Sequence, residues 1–384
     1  MSASTFTEGT MRRITLAIAA AVVALVGASV HGQTATPPVV RTPVQPPGVL
    51  EIYFIDTEGG QSVLLVSPGN GILGARETFL IDAGNLTNPP GRDADRIVAA
   101  MKDAGVDRID YMVVSHYHGD HVGGVAALAD KVPIRRVYDP GPFADELAGN
   151  RAAGFNSYLP VREKMHVTIP KPGMKIPVAG LDVNIVSSAG ELTTNPVPGV
   201  RATANPICAN AKEREQDNTP NNYESIGMTI DFGKFRYLDL TDLTWNQEMQ
   251  LVCPRNLLGT FALYRTTRHG TDWAGSEALV HTVRPRVAVM NNNPTKGGTP
   301  GTFQIVKSSP GLEDFWQLHF SEFVAKDVQS PDNFIANFTK EDGGSHIKVT
   351  ARSDGTFTVK NGRNGFTKDY RTPAAGASPS TSSR

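Results

Sequence analysis

Asp110-Tyr111-Met112-Val113-Val114-Ser115 followed by His116-Tyr117-His118-Gly119-Asp120-His121 is the stretch that decides the fold. The first six residues read as a buried strand, and the strand runs straight into four potential metal ligands within six positions. A strand continued through them would splay the imidazoles and the carboxylate onto opposite faces. A strand-to-helix loop wraps them around a small centre instead, and Val122 to Ala129 reads as the helix that follows. Imidazole and carboxylate donors suit borderline divalent ions such as zinc. His116 and His118 can serve one ion, Asp120 and His121 a second.

Outward from this stretch, the chain alternates short apolar runs with turns and amphipathic segments. Upstream, Leu50 to Ile55, Ser62 to Val66 and Phe79 to Asp82 read as strands of a hairpin-rich opening, and Ala94 to Ala104 as a helix closed by Gly105. Downstream, 142–165 is mixed in pattern, and strands are expected at Met165–Ile169 and Leu181–Ser187. Gly190 to Asn221 is a long polar region with little periodicity, a length at which loops are often functional. Glu224 to Asp231 and Phe235 to Asp239 read as a hairpin, followed by a short helix at Asn246–Leu251. A strand at Thr260–Tyr264 ends near His269, with a helix at Ser276–Val283 and a strand at Arg286–Met290 after it. Helical and extended stretches at 303–312 and 315–319 precede a terminal hairpin, Ser345–Ala351 and Thr356–Lys360, around Asp354-Gly355. His281, His319 and His346 read as packing or surface residues, and His166 lies in an expected strand.

The chain has 384 residues, 40% hydrophobic and 20% charged, with a formal net charge of −1. That supports a sizeable core and excludes a charge-rich disordered chain or a multi-span membrane protein. The balanced charge supplies no global field for nucleic acid and argues against tight binding of duplex DNA. Arg12 and Arg13, the apolar run Ile14–Val30 and the small residues after it read as a secretory signal peptide over 1–32, with a transmembrane anchor as the other reading. A Pro-rich linker is expected over 33–47 and a disordered tail over 373–384, leaving 48–372 as the catalytic domain with a C-terminal hairpin extension. In a periplasmic or secreted protein, Cys208 and Cys253 would form one disulfide, the alternative being two buried thiols. Two cysteines exclude a cysteine-ligated structural zinc.

His116-Tyr117-His118-Gly119-Asp120-His121 after an apolar strand resembles the signature of the metallo-β-lactamase superfamily. The resemblance covers roughly 50–320 and implies an α/β fold, a four-layer αβ/βα sandwich with a binuclear site at one edge. Phe54-Ile55-Asp56 with Glu58-Gly59-Gly60-Gln61-Ser62, and Leu80-Ile81-Asp82-Ala83-Gly84, resemble the DNA-uptake (ComEC-like) branch. So do Asn222, Ser225 and Asp239-Leu240-Thr241-Asp242-Leu243. The resemblance makes Asp242 the metal-bridging carboxylate and His269 of Arg268-His269-Gly270 a ligand of the second metal. It makes Asp82 a carboxylate that orients a ligating His, with Asn222 and Ser225 beside it. Thr241 stands where Gly is usual, and Arg268 where His is usual. No third His is available for the first metal; Glu191 or water would take that position.

The implied chemistry is hydrolysis at two divalent ions, zinc or manganese, with Asp120 and His121 in catalytic roles. Arg268, Asn291, Asn292 and Lys296 could bind phosphate or carboxylate. The expected substrate is a small ester or phosphodiester, with no obligate protein partner. The alternatives are a lactonase or β-lactamase-type ring-opening hydrolase, and a non-catalytic metal- or ligand-binding protein on the same fold.

Overall fold

Leu50, Ile52 and Phe54 alternate with Glu51 and Tyr53, yet all five are buried, so this strand is covered on both faces. That pattern fits a strand sandwiched between layers. A computed structural model of the chain describes residues 48–69, 74–87, 90–141, 150–215, 221–339 and 343–372, without the side chains of 150–153. The expected signal peptide, linker and tail, 1–32, 33–47 and 373–384, lie outside the described residues.

The first half comprises β1 (Val49–Phe54), β2 (Val63–Val66), β3 (Thr78–Ile81), α1 (Arg92–Ala104), β4 (Ile109–Val113), α2 (Gly119–Val122), α3 (Val125–Ala129), β5 (Ile134–Tyr138), α4 (Asn150–Arg162) and β6 (Val167–Thr168). The second comprises β7 (Lys175–Ile176), β8 (Asp182–Ser188), β9 (Glu191–Leu192), β10 (Gly227–Phe232), β11 (Phe235–Asp239), α5 (Trp245–Val252), β12 (Leu263–Arg265), α6 (Glu277–Val283), β13 (Val287–Met290), α7 (Pro300–Lys307), β14 (Asp314–His319) and β15 (Ile335–Asn337). A meander of β16 (Ile347–Arg352), β17 (Thr356–Asn361) and β18 (Thr367–Arg371) ends the fold.

Two nine-stranded sheets result. One runs β18-β17-β16-β1-β2-β3-β4-β5-β6, the other β15-β14-β13-β12-β11-β10-β8-β7, with β9 paired to β8. Leu50, Ile52, Phe54, Ile230, Tyr237, Trp316 and Phe357 belong to the core that both sheets share. On the outer face of the first sheet, Tyr53, Leu80 and Met112 pack with Ile97, Met101, Leu128 and Tyr158 from α1, α3 and α4. On the outer face of the second, Leu238 and Tyr264 pack with Leu251, Val280 and Phe303 from α5, α6 and α7. Three interlayer cores make a four-layer helix–sheet–sheet–helix sandwich, the fold expected from the sequence.

Three expectations are corrected. The helix expected over 122–129 is two short helices, α2 and α3, with Gly123 and Gly124 between them. A Cβ on either glycine would meet backbone at 2.1 and 2.0 Å, so only Gly allows this approach to the Ala83–Leu86 segment. The mixed 142–165 segment contains the helix α4, masked by an internal Pro160. The terminal hairpin is not an extension: β16 pairs along its length with β1, from Val49↔Arg352 to Phe54↔Ile347, and β18 adds a third strand. Among the described residues, no helix is long and apolar enough to cross a membrane.

Candidate metal centre

The strand β4 delivers Ser115 and His116 to the sheet edge, and α2 turns His121 back toward them. The first turn is fixed by His121 N–H and Val122 N–H donating to the His118 carbonyl. From the second sheet, the end of β11 brings Asp242 and the end of β12 brings His269. His116, His121 and Asp242 form one group whose donor atoms lie within 4.8 Å of one another, and Asp120, His121 and His269 form another. Five of the six ligands expected from sequence other than Glu191 thus meet in two groups, and His118 adjoins the first, its Nδ1 2.9 Å from His116 Nε2.

The spacing tests whether a metal fits. His121 Nε2 lies 3.4 Å from Asp120 Oδ2, 3.4 Å from Asp242 Oδ2 and 3.3 Å from His269 Nε2. His269 Nε2 lies 3.1 Å from Asp120 Oδ2 and 3.4 Å from Asp242 Oδ2. Donors about 2.0–2.1 Å from a tetrahedral zinc are about 3.3 Å apart, so these contacts have the right edge length. Asp242 Oδ1 is buried without a hydrogen-bond partner, a lone acceptor that a cation would satisfy. The donor set and its spacing fit a divalent metal.

Electrostatics favour the same reading. Burial raises the Asp120 carboxyl, but His121 and Lys296 more than offset it and hold it well below the carboxylate range. Asp242, likewise opposed by burial, is held low by His269 and His121. Burial and the neighbouring imidazoles push His116 well below its ordinary value, and burial leads the drop at His118. His121 runs the other way: burial opposes its charge, but Asp242, Asp120 and Asp82 raise it well above the ordinary histidine value. Its proton must leave when a metal enters, so binding would be coupled to proton release.

Orientation comes from the surrounding polar groups. Asp82 Oδ2 accepts from His121 Nδ1 at 2.8 Å and from Ser115 Oγ at 2.7 Å, while Asp82 Oδ1 accepts the Ser115 N–H at 2.7 Å. This fixes the His121 tautomer with Nε2 toward the centre. His269 Nδ1 is anchored on the Asn291 carbonyl at 3.1 Å. Asp82 itself sits at φ 60°, a left-handed conformation that Asn also tolerates. Asp82→Asn is therefore expected to keep the backbone but weaken the charged partner of His121, lowering metal affinity roughly 10–100-fold. Competition with a fluorescent chelator measures this; unchanged affinity would remove Asp82 from the orienting role.

Thr241, Arg268 and His269 also have positive φ, 50°, 51° and 57°. The position where the sequence departs from Gly is thus one that needs a left-handed backbone, and Thr241 adopts it with its N–H on Asp239 Oδ1 at 3.0 Å. Arg268 N–H in turn donates to the Thr241 carbonyl at 2.8 Å, tying the Asp242 and His269 turns together.

Other expected residues are placed as follows. Asn222 and Ser225 are buried in the turn before β10. Lys296 forms an ion pair with Asp120 Oδ2. Asn291 is buried beside His269, its side-chain amide without a hydrogen-bond partner. Asn292 is buried and its amide donates to the His319 carbonyl at 2.8 Å, so it braces the loop instead of facing a ligand. Glu191 is exposed at the β8–β9 turn and belongs to neither ligand group, because the short β9 pairing turns it outward. Cys208 and Cys253 are joined in a disulfide.

A network that sequence reasoning missed lies nearby. Asp56, Glu58 and His319 form a third group of donors within 4.8 Å. His319, expected to be a packing or surface residue, is fully buried with Nε2 2.8 Å from Asp56 Oδ1. Arg96 already supplies positive charge there, 3.2 Å from Asp56 and 3.7 Å from Glu58. Burial pushes Asp56 up, but His319 and Arg96 bring it below its ordinary value. Glu58, half-buried beside Asp56, is pushed up to about 7 by burial and the Asp56 charge. Asn293 Nδ2 donates to the Glu58 carbonyl at 3.0 Å, so the network braces the loop that carries Lys296.

Glu248 of α5 braces the loop that carries His269. Its carboxylate accepts the Gly275 and Ser276 N–H groups at 3.0 and 2.8 Å, at the start of α6. Burial pushes it up to about 7 despite those bonds. A carboxyl whose folded value is raised stabilises the fold below its unfolded value, about 4.3, and loses that contribution as pH rises toward 7. Glu248→Gln is expected to flatten this dependence, which amounts to at most about 3 kcal/mol between pH 4 and 8. Urea unfolding across that range checks it; parallel curves for the two proteins would refute it.

Residues 55–200, the segment that holds the His116–His121 cluster, match the family model described as the metallo-beta-lactamase superfamily. Among solved structures, the chain is similar to the metallo-beta-lactamase fold protein YhfI from Bacillus subtilis, at 10% identity over 70% of this chain and 96% of that one, with a TM-score of 0.41. It is similar to Igni18, a metallo hydrolase from Ignicoccus hospitalis, at 13% identity over 78% and 98%, with a TM-score of 0.40. Zn(2+)-bound PqqB from Methylobacterium extorquens aligns at 12% identity over 64% and 89%, with a TM-score of 0.39. No curated protein sequence matches the chain.

Proposed function

We propose that the protein is an exported hydrolase that uses two divalent metal ions, zinc by preference, to cleave an ester or phosphodiester. The observation that carries this reading is the convergence of Asp120, His121, Asp242 and His269 at tetrahedral-edge spacings, with His116 and His118 alongside. A pair of divalent ions at these donors supplies Lewis acidity, acidifying water and stabilising charge on the attacked oxygen. The chain's own groups do the rest. Asp82 holds the tautomer of His121, and Asn291 that of His269. Asp120 is held ionised beside His121 and Lys296, the state that can hold a cation. Lys296 on Asp120, and Arg268 close enough to depress His118, put two cations at the site and favour an anionic substrate.

The resemblance to the DNA-uptake branch points to the same phosphodiester class, and the near-neutral charge favours a small one over duplex DNA. The Cys208–Cys253 disulfide supports export to an oxidising compartment. Metal analysis combined with bis(4-nitrophenyl) phosphate, a lactone, a β-lactam and a thioester tests the reading. Expected are about two ions per chain and chelator-sensitive cleavage of the phosphodiester. Ring opening without phosphodiester cleavage would shift the substrate class; no bound metal would overturn the reading.

A further inference from the structure

The loops that carry the metal-centre residues also build a cavity of about 340 Å³. Tyr223 follows Asn222, Trp245 lies three residues beyond Asp242, and Trp273 four beyond His269; all three line it. Large apolar side chains are mostly buried here, yet Tyr223 and Trp273 remain 39% and 51% exposed, both at this one cavity. Their exposure is not looseness, because α5 fixes each wall. Trp245 N–H donates to the Trp273 carbonyl at 3.2 Å. Gln247 Nε2 donates to the Tyr223 carbonyl at 2.9 Å. Asn246 accepts the Arg214 N–H and donates to the Arg214 carbonyl, at 3.0 and 2.9 Å. The Arg214 guanidinium then lies 3.5 Å from the centre of the Trp245 ring.

We infer that this cavity is the subsite for a planar aromatic or heteroaromatic ring attached to the bond that is cleaved. The inference rests on the hydrolase reading for its role but not for its binding chemistry. Two exposed aromatic faces on a main chain tied to α5, and a guanidinium plane set over Trp245, make a stacking surface for a flat ring. Arg214 and Glu215 line the cavity with opposite charges, so the selection is for ring shape, not net charge. The charge of the substrate is met instead by Lys296 at the metal centre.

The test uses 2-naphthol and decahydro-2-naphthol, which share a skeleton and a hydroxyl but differ in planarity, followed by calorimetry on the full chain. Neither has a hydrolysable bond, so the result is independent of catalysis. The planar ring is expected to bind saturably and the saturated one about five- to tenfold more weakly. Trp273→Ala and Tyr223→Ala are each expected to weaken 2-naphthol binding, Trp273→Phe to retain most of it, and His116→Ala to leave it unchanged. Both alanine replacements are at exposed positions, and an unchanged melting temperature confirms folding. Equal binding of the two alcohols, or undiminished binding by the Trp273→Ala protein, would overturn the inference. If His116→Ala lost metal while 2-naphthol still bound, the ring-binding chemistry of the cavity would stand even if the hydrolase assays failed, and only its role beside a cleaved bond would fall.

Discussion

Asp242→Ala is expected to lower both metal content and phosphodiester cleavage, the latter by roughly a hundred- to a thousandfold or more, the scale of losing one charge-stabilising group in a hydrolytic site. Asp242 approaches residues of both groups: it lies 4.0 Å from His116 Nε2 and 3.4 Å from both His121 and His269. Removing it takes away the carboxylate near His116 and leaves His121 and His269 with Asp120 alone at their Nε2 atoms. His121 would then lose the largest of the influences that keep its charge favourable. Elemental analysis and initial rates measure the two effects separately. His116→Ala reaches only the first group and is expected to cost less metal. If neither replacement changes metal content or rate, the centre lies elsewhere.

Asp239→Ala is expected to destabilise the fold by about 3–5 kcal/mol, the cost of breaking a buried ion pair by deleting one partner. Asp239 and Arg265 are both fully buried. Asp239 Oδ1 accepts Arg265 Nε at 2.9 Å and Nη2 at 2.8 Å, while Oδ2 accepts the Tyr237 hydroxyl at 2.6 Å. Arg265 cannot shed its proton, so the deletion strands a charge in the core. Adding Arg265→Met removes that charge and is expected to recover part of the loss. Urea unfolding of the single and double variants decides it; a loss below about 1 kcal/mol would mean that water reaches the pair. Because the Thr241 turn also hangs from Asp239, the single variant is expected to bind metal more weakly as well.

The part of the site legible in the sequence was the part that is local. His116 to His121 lie on one strand-to-helix turn, so residue type and spacing sufficed. Asp242 and His269 were separately ambiguous strand-end residues, and only the resemblance gave them a shared partner. The Asp56–His319 pair is 263 residues apart in sequence, and no local pattern marks it. Glu191 was drawn to the centre because it follows β8, but the two-residue β9 folds back on that strand and faces it outward. Strands were readable as short apolar runs, as in Leu50 to Ile55, whereas partners were not. Periodicity encodes which side is buried and says nothing of which strand lies beside it. For that reason the terminal hairpin could be placed in sequence but not against β1, and α4 was hidden by Pro160.

The pairing of β1 with β16 has a bearing on the order of events during synthesis. Val49, the first residue of the first strand, waits for Arg352 before its outer neighbour exists, and Phe357 and Tyr370 complete the shared core later still. A ribosome adding residues one by one leaves that strand edge open until nearly the whole chain has emerged. Contacts so distant in sequence slow folding and delay its last step. A chain built this way reaches its final form only after its C-terminal strands are free.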